Sequence, residues 1–436
     1  MTEGQRYRFP VAVGVLALTI AVAACGSSSN KSNSGTATSA APSSSGGADL
    51  SDAAGIYSKF TGGTAGKADS SKSPVVVGFV NDEGGIPSFP EGSVAAQAAA
   101  KFVNDNLGGV DGHPLQLVVC KVAGSEEQGQ GCAQKFLGDK RIKVITEDSQ
   151  VVGAQSFHQT LNGQLPVVIG SPNSVADATA KNAYGISAGV FGTDPGFVSY
   201  ATQFAHAKTA SLLFPADDPT GQAAAKQIKG DLGKAGIKVT DVGYKSSSPD
   251  IFPSVIASKA GKTDVTVTLF PSPPTCIAGG KALQRANITK PVLALNLCIA
   301  APVKQALGDY PKWTYVSLNT NPEVPGDAET DAYVKVMKAY AGENSNIGGF
   351  APHAFMAVLT AAKALNAAGG ADATSAAIGD QLKAYKGPTP MFAPDVKYGS
   401  IPPLPSIPSL QTRLYTYNGG GKWTDVTNGK WVLPGA

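Results

Sequence analysis

Short apolar runs rich in β-branched residues alternate along this chain with stretches in which apolar positions recur every three or four residues. The two periodicities predict strands and amphipathic helices in turn. The first clear unit spans residues 73–119. Residues 75–80, VVVGFV, are too few for a helix and are broken by the turn-rich NDEGGIPSFPEG, the pattern of a buried parallel strand feeding a loop. Ser93 is placed to cap a helix in which Val94, Ala95, Ala98, Ala99, Phe102 and Val103 fall at helical spacing; Gly108 and Gly109 stop it, and a second strand follows over residues 115–119. Two parallel strands joined by a helix form a right-handed βαβ unit, and in open sheets of this kind ligands bind beyond the carboxyl ends of the strands. Residues 81–90 therefore lie at a binding edge, with Asn81, Glu83 and Phe89 as candidate contacts.

The same alternation continues. A strand over residues 143–146 leads to Glu147-Asp148-Ser149-Gln150 and a helix through Phe157 and Leu161; a strand over 165–169 leads to Gly170-Ser171-Pro172-Asn173-Ser174. Near Phe191-Gly192-Thr193-Asp194-Pro195 a second half begins, with a helix over 195–204 and strands over 210–214, 239–242, 265–270, 292–297 and 314–318, separated by turns and helices. Residues 319–326, rich in Pro and Asn, should cross back to the first half, where helices are expected from Asp327 through Tyr340, over 352–368 (apolar nearly all round and hence buried) and over 374–385. The five prolines within residues 391–408 read as a semi-rigid third crossing, and 410–426 as a terminal strand, turn and strand. The expected fold is α/β: two Rossmann-like lobes of parallel sheet flanked by helices, joined by a three-stranded hinge with a cleft between them. Residues 73–192 and 319–390 form lobe 1, and 193–318 and 391–436 form lobe 2.

The strand, the Gly-rich loop, the helix ending Phe102-Val103-Asn104, the turn Gly108-Gly109-Val110-Asp111-Gly112-His113-Pro114-Leu115 and the strand after it resemble the type I periplasmic-binding fold in its branched-chain amino acid or amide branch. These are the substrate-binding lipoproteins of ABC importers, and the later βα order fits them from about Ser73 to Val426. The resemblance implies a small-molecule solute, ABC permease subunits with their ATPases as partners, a monomer and no cofactor. It places Ser149, with Gln150 beside it, at the first ligand hydroxyl, and Ser171 with Asn173 or Ser174 at a second cluster around a ligand carboxylate. Hydrogen bonds to such a charged group contribute about 1.5 to 3 kcal/mol each. Ser and Asn after strands also serve as helix caps and turn formers. Thr220 stands where relatives often carry an aromatic residue, a departure that weakens a leucine-like specificity. Phe270 aligns with a cleft aromatic, core packing being the alternative, and Asn296 tips the strand over 292–297. No acidic residue lies between Leu295 and Lys304, where amino-acid binders commonly hold the α-ammonium; the ligand is then one without a free ammonium group.

The beginning of the chain changes the setting. Arg6 and Arg8 precede an apolar run over residues 11–24, too short for a stable span and organised like a secretory signal, 1–24. It ends Val22-Ala23-Ala24-Cys25-Gly26, which looks like a bacterial lipobox, with Cys25 as the lipidated mature N-terminus and membrane anchor; ordinary cleavage at a nearby Ala-x-Ala site is the alternative. Residues 25–72 read as a flexible Ser/Gly-rich tether, about 25 residues of which reach roughly 25 to 30 Å. Within them Ala53, Ile56, Tyr57 and Phe60 could form an amphipathic turn docked on the body. The expected location is extracytoplasmic and lipid-anchored.

Loss of residues 1–24 removes two arginines and one glutamate, so the net charge falls from +3 to +2, too small and too scattered for a nucleic-acid partner. With Cys25 lipidated, four cysteines remain, and an even number in an exported chain implies disulfides in one of three connectivities. The pairing that keeps each bridge local is Cys120 with Cys132 and Cys276 with Cys298. Zinc competes weakly, because there is no CxxC and the four histidines, His113, His158, His206 and His353, sit in unrelated places. For an enzyme on the same scaffold the sequence offers no GxSxG, HExxH or P-loop. Asp82 with Glu83 could be an acid/base pair, though adjacent acids in a Gly loop are more often solvated turn residues. A solute sensor is a third possibility.

Overall fold

Regularly spaced β-branched runs become two separate sheets. The computed structural model describes residues 49–85 and 87–433, so the signal segment, Cys25 and the first part of the tether lie outside the described residues. In the first sheet β1 (Val75–Asp82), β2 (Leu115–Val122), β3 (Ile142–Glu147), β4 (Val167–Ile169) and β5 (Ala183–Gly185) run parallel in the order β2-β1-β3-β4-β5. The central β1 is buried along its whole length, which is why it carries apolar residues on both faces. Three residues are too few to show a period, and β5 is not legible in the sequence.

The second sheet takes β6 (Thr209–Pro215), β7 (Lys238–Tyr244), β8 (Val265–Thr268), β9 (Val292–Leu295), β10 (Thr314–Ser317), β11 (Arg413–Gly419) and β12 (Lys422–Asp425) in the order β12-β11-β10-β9-β8-β6-β7. Only β11 and β12 break the parallel pattern. Between the sheets the chain crosses three times: after β5, after β10 and before β11.

The core of the first lobe explains the second crossing. The helix Ala351–Ala367 is buried on nearly every residue and packs with the helix Pro90–Asn106 in one apolar cluster containing Phe102, Tyr333 and Phe355. Both facing surfaces are rich in alanine, which lets the helices approach closely at native packing density. Pro90 sits at the first turn, where its missing N–H costs nothing. The helix thus begins before Ser93, and Ser93 is an internal residue and not the cap.

Two expected boundaries are corrected. The tether does not run to residue 72: Ser51–Thr61 is a helix, with Ala53 and Tyr57 fully buried. Tyr57 packs edge-on against Phe102 and Phe355 at 5.9 and 5.5 Å, and its hydroxyl donates to the Glu329 carbonyl at 2.8 Å. At the helix end Lys363 donates to the Phe60 carbonyl and Asn366 to the Thr61 carbonyl, satisfying acceptors that a helix C-terminus leaves open. The docked turn is a full helix because the apolar spacing of Ala53, Tyr57 and Phe60 fits one face.

Residues 391–408 also belong with the first lobe: Met391 and Phe392 join its core, the Tyr398 hydroxyl donates to the Gly185 carbonyl, and Ser406 bridges to Ala178 and Gly185 through its backbone. The prolines make this segment irregular without detaching it. The bridges pair Cys120 with Cys132 and Cys276 with Cys298. The first joins β2 to the helix Glu126–Gly138, and the second joins the helix Pro273–Arg285 to the turn after β9. No helix among the described residues is long and apolar enough to cross a membrane.

Removing a fully buried aromatic side chain costs about 3 to 5 kcal/mol. Tyr57→Ala is therefore expected to destabilise the first lobe by about 3 kcal/mol in urea unfolding, and an unchanged midpoint would show that the N-terminal helix is not part of its core.

Candidate functional site

Every parallel strand of the two sheets ends in a loop at its carboxyl edge, and the loops after β1, β3 and β4 are bound to one another. Asn81 donates its amide to the Phe89 carbonyl at 2.7 Å, folding residues 81–89 back on themselves. Asp82 and Glu83, adjacent in sequence, point to different partners. The Asp82 carboxylate accepts the backbone N–H groups of Val151 and Val152 at 2.7 and 3.1 Å, while Glu83 accepts from Ser93 and pairs with Lys121, both at 2.5 Å. Neither arrangement is an acid/base pair, and neither carboxylate is a freely solvated turn residue. Phe89 is buried and meets Phe350 edge-on at 4.7 Å; His353 lies between Phe350 and Phe392.

The loops after β3 and β4 bring Ser149, Ser171 and Asn173 together. The Asn173 amide donates to the Ser149 hydroxyl at 2.7 Å, and the Ser171 hydroxyl donates to the Asn173 amide oxygen at 3.4 Å. All three are buried. Gln150 is also fully buried, yet neither its amide oxygen nor its amide nitrogen has a hydrogen-bond partner in the protein. Leaving such a group unpaired costs about 1 to 3 kcal/mol, so it marks a place built for a polar partner. Asp148 shares this state: both oxygens are unpartnered and the side chain is packed against Gly92, where a Cβ would strike the carboxylate.

Across the gap, the lobes meet at a small cavity lined by Asn296, Ile299 and Ser317 of the second lobe, Asn319, Asn321 and Pro322 of the crossing, and Gly348, Gly349 and Pro352 of the first lobe. Its volume is about 10 Å³, the room of about one water molecule. Asn296 donates to the Asn319 amide oxygen at 3.1 Å, and the buried Asn321 amide nitrogen has no partner. At Gly348 a Cβ would lie 2.3 Å from the Ile299 carbonyl oxygen, so only glycine lets the lobes approach this closely.

Three expected contacts are corrected. Ser174 is a helix cap: its hydroxyl accepts from the Asp177 N–H and the Asp177 carboxylate accepts from the Ser174 N–H, a capping box. Thr220 is exposed in the first turn of the helix Pro219–Lys234, its N–H bound by the Asp218 cap. Phe270 is fully buried between Tyr244 and Trp313 against Gly279, inside the second lobe's core. Sequence reasoning missed Asp148, Asn319, Asn321, Phe350 and His353. Position in a strand-end run could have flagged Asp148, and the Asn-rich crossing could have flagged the asparagines; the aromatic pair has no local signal.

Burial sets the charges here. It raises the carboxyls of Asp82 and Glu91 to about 7 and that of Asp148 well above its ordinary range, and it lowers the His353 imidazole to about 3, so this ring is neutral. The three raised carboxyls outweigh the one lowered imidazole, which acts the other way below about 6.5, so the folded protein binds more protons than the unfolded chain between the ordinary carboxyl range near 4 and about 7, and stability falls as pH rises through that window. Thermal unfolding is expected at higher temperature at pH 5.5 than at pH 8, with a smaller difference in Glu91→Gln; the opposite slope in the parent protein would contradict the burial assigned to Asp82 and Glu91.

Comparison with curated protein sequences finds no match. Among solved structures, the branched-chain amino acid transporter substrate-binding protein LivJ of Streptococcus pneumoniae, in complex with isoleucine, superposes with a TM-score of 0.68 at 15% identity, covering 83% of this chain and 100% of that one. The leucine-binding protein LivK of Thermotoga maritima gives 0.66 at 12% identity, covering 83% and 99%. A solute-binding protein of an R. palustris ABC transporter, in complex with benzoate, gives 0.66 at 17% identity, covering 83% and 97%. At these identities the likeness establishes the two-lobed fold. The model of one sequence family, periplasmic binding protein, matches residues 74–399, beginning just after the N-terminal helix, and over that span of both lobes the chain belongs to the periplasmic binding protein family.

Proposed function

We propose that this protein is an extracytoplasmic solute-binding lipoprotein that closes its lobes on a small polar solute bearing a carboxylate or amide and presents it to the permease subunits of an ABC importer. The observation that carries this reading is Gln150, a fully buried side chain with both amide atoms unpartnered, in the same set of loops as Ser149, Ser171 and Asn173. A carboxamide of this kind can donate to a carboxylate or pair with an amide in both directions. The bound isoleucine and benzoate of the two similar proteins share a carboxylate and little else, which supports an anion or its neutral amide as the common feature. Three chain crossings between two separately packed lobes support capture by hinge closure. The lipobox-like Val22-Ala23-Ala24-Cys25 supports lipidation of Cys25 behind a cleaved signal. The reading takes no catalytic step, and the solute leaves unaltered.

Thermal-shift screening of small carboxylates and amides tests it, since a solute present at 100 times its dissociation constant stabilises by about 2.7 kcal/mol. Gln150→Ala and Ser149→Ala are each expected to weaken the best solute by about 10- to 100-fold, the equivalent of one or two charge-assisted hydrogen bonds. A tight solute bound equally well by both variants would remove these loops from the site. Cys25→Ser is expected to move the protein from the membrane fraction to the soluble one and to abolish the mass added by a diacylglycerol; retention in the membrane would overturn the lipid anchor.

A further inference from the structure

On the far side of the same strand tips lies a cluster that solute capture does not use. Glu147 ends β3, His158 lies in the last turn of the helix Ala154–Leu161, and Asp177 lies in the helix Val175–Thr179. The His158 Nε2 is 3.2 Å from Glu147 Oε2 and 3.4 Å from Asp177 Oδ1. Both carboxylates are fully buried, and the His158 side chain retains 6% exposure. Neither oxygen of Glu147, nor Asp177 Oδ1, nor His158 Nε2 meets a hydrogen-bond geometry with any partner, so the ring sits between two acceptors without being aligned to either.

Three features point to an ion. The first is spacing: donors around a tetrahedral zinc ion, at 2.0 to 2.2 Å from it, stand about 3.3 to 3.5 Å from one another, close to the two separations observed. The second is charge. Among the described residues His158 is the one cationic side chain within ion-pair distance of either carboxylate, and two ionised carboxylates beside a neutral imidazole are balanced by a divalent ion. The third is outer support. Asp177 Oδ2 accepts the N–H groups of Asn173 and Ser174 at 2.7 and 2.9 Å, which fixes the carboxylate with Oδ1 turned to His158, as supporting hydrogen bonds do for metal ligands. Glu147 Oε1, without a partner, is available as a further donor.

We propose that Glu147, His158 and Asp177 bind a divalent transition-metal ion, with zinc the chemistry that fits best. Calcium and magnesium require more oxygen donors than the cluster offers and do not favour imidazole. The ion ties the end of β3 to the segment 173–177. Because Asn173 also holds Ser149, it stiffens the loops on the cleft side, but the site itself stands whether or not those loops bind a solute.

Purified protein stripped with a chelator is titrated with zinc by calorimetry and with cobalt(II) by visible absorption. A single equivalent is expected to bind, with cobalt bands of a low-coordinate site. His158→Gln is expected to weaken binding by about 10- to 100-fold or more, and His113→Gln to leave it unchanged. X-ray absorption of the zinc-loaded parent protein reads the site without depending on any variant's folding: one imidazole nitrogen with oxygens at about 2.0 to 2.2 Å is expected. No bound equivalent in the stripped parent, undiminished binding in a natively folded His158→Gln, or an absorption spectrum without imidazole would overturn the site and leave His158 as an ion-paired structural histidine.

Discussion

The packing of the helix Ala351–Ala367 against the helix Pro90–Asn106 is the constraint from which the architecture follows. A helix buried on nearly all sides cannot remain with the second lobe, whose strands precede it, because the matching surface is in the first. The chain must return, and having returned must leave again to add β11 and β12. Three crossings result from this one contact. The N-terminal helix strengthens it, since Tyr57 wedges between Phe102 of one helix and Phe355 of the other. What the sequence presents as a preamble to the domain is therefore part of the surface that decides its topology.

Most strands were legible because the period of a buried parallel strand is distinct and the runs are bounded by turn residues. Legibility failed where local composition and tertiary role diverge. Residues 51–61 follow a Ser/Gly-rich stretch and carry few large apolar groups, yet the three that matter lie on one face. Residues 391–408 have too many prolines for regular structure, and irregular backbone can still be fully docked, as Ser406 and Tyr398 show. In the candidate site, Ser149, Ser171 and Asn173 are legible as polar residues after strands, and the structure brings them together, but position does not separate them from Ser174, because a capping serine and a serine turned to a cleft occupy the same place in a βα unit. Phe270 shows the same ambiguity for an aromatic residue at a strand end, resolved here by Gly279, whose missing side chain makes room for the ring. Asp148 and Asn321 stand in runs that the sequence marks only as a strand end and an Asn-rich crossing; what distinguishes them there is the absence of a partner in three dimensions.

Buried polar groups are concentrated at the carboxyl edge of the first sheet and treated in two ways. Those that join one loop to another, such as Asn81, Asp82 and Asn173, are held by backbone or neighbouring side chains, although one oxygen each of Asn81 and Asp82 stays unpartnered. Those without a hydrogen bond, Gln150 and Asp148 in one place and Glu147 beside His158 in another, are the ones that burial alone would make unfavourable.

Each disulfide lies inside one lobe, joining a strand to its own following helix in the first and a helix to the adjoining strand-end turn in the second. No such link reaches across the gap. Oxidation therefore hardens each jaw separately and places no covalent bond across the pivot, so a reducing environment would soften the jaws themselves and leave the crossings between them covalently unchanged.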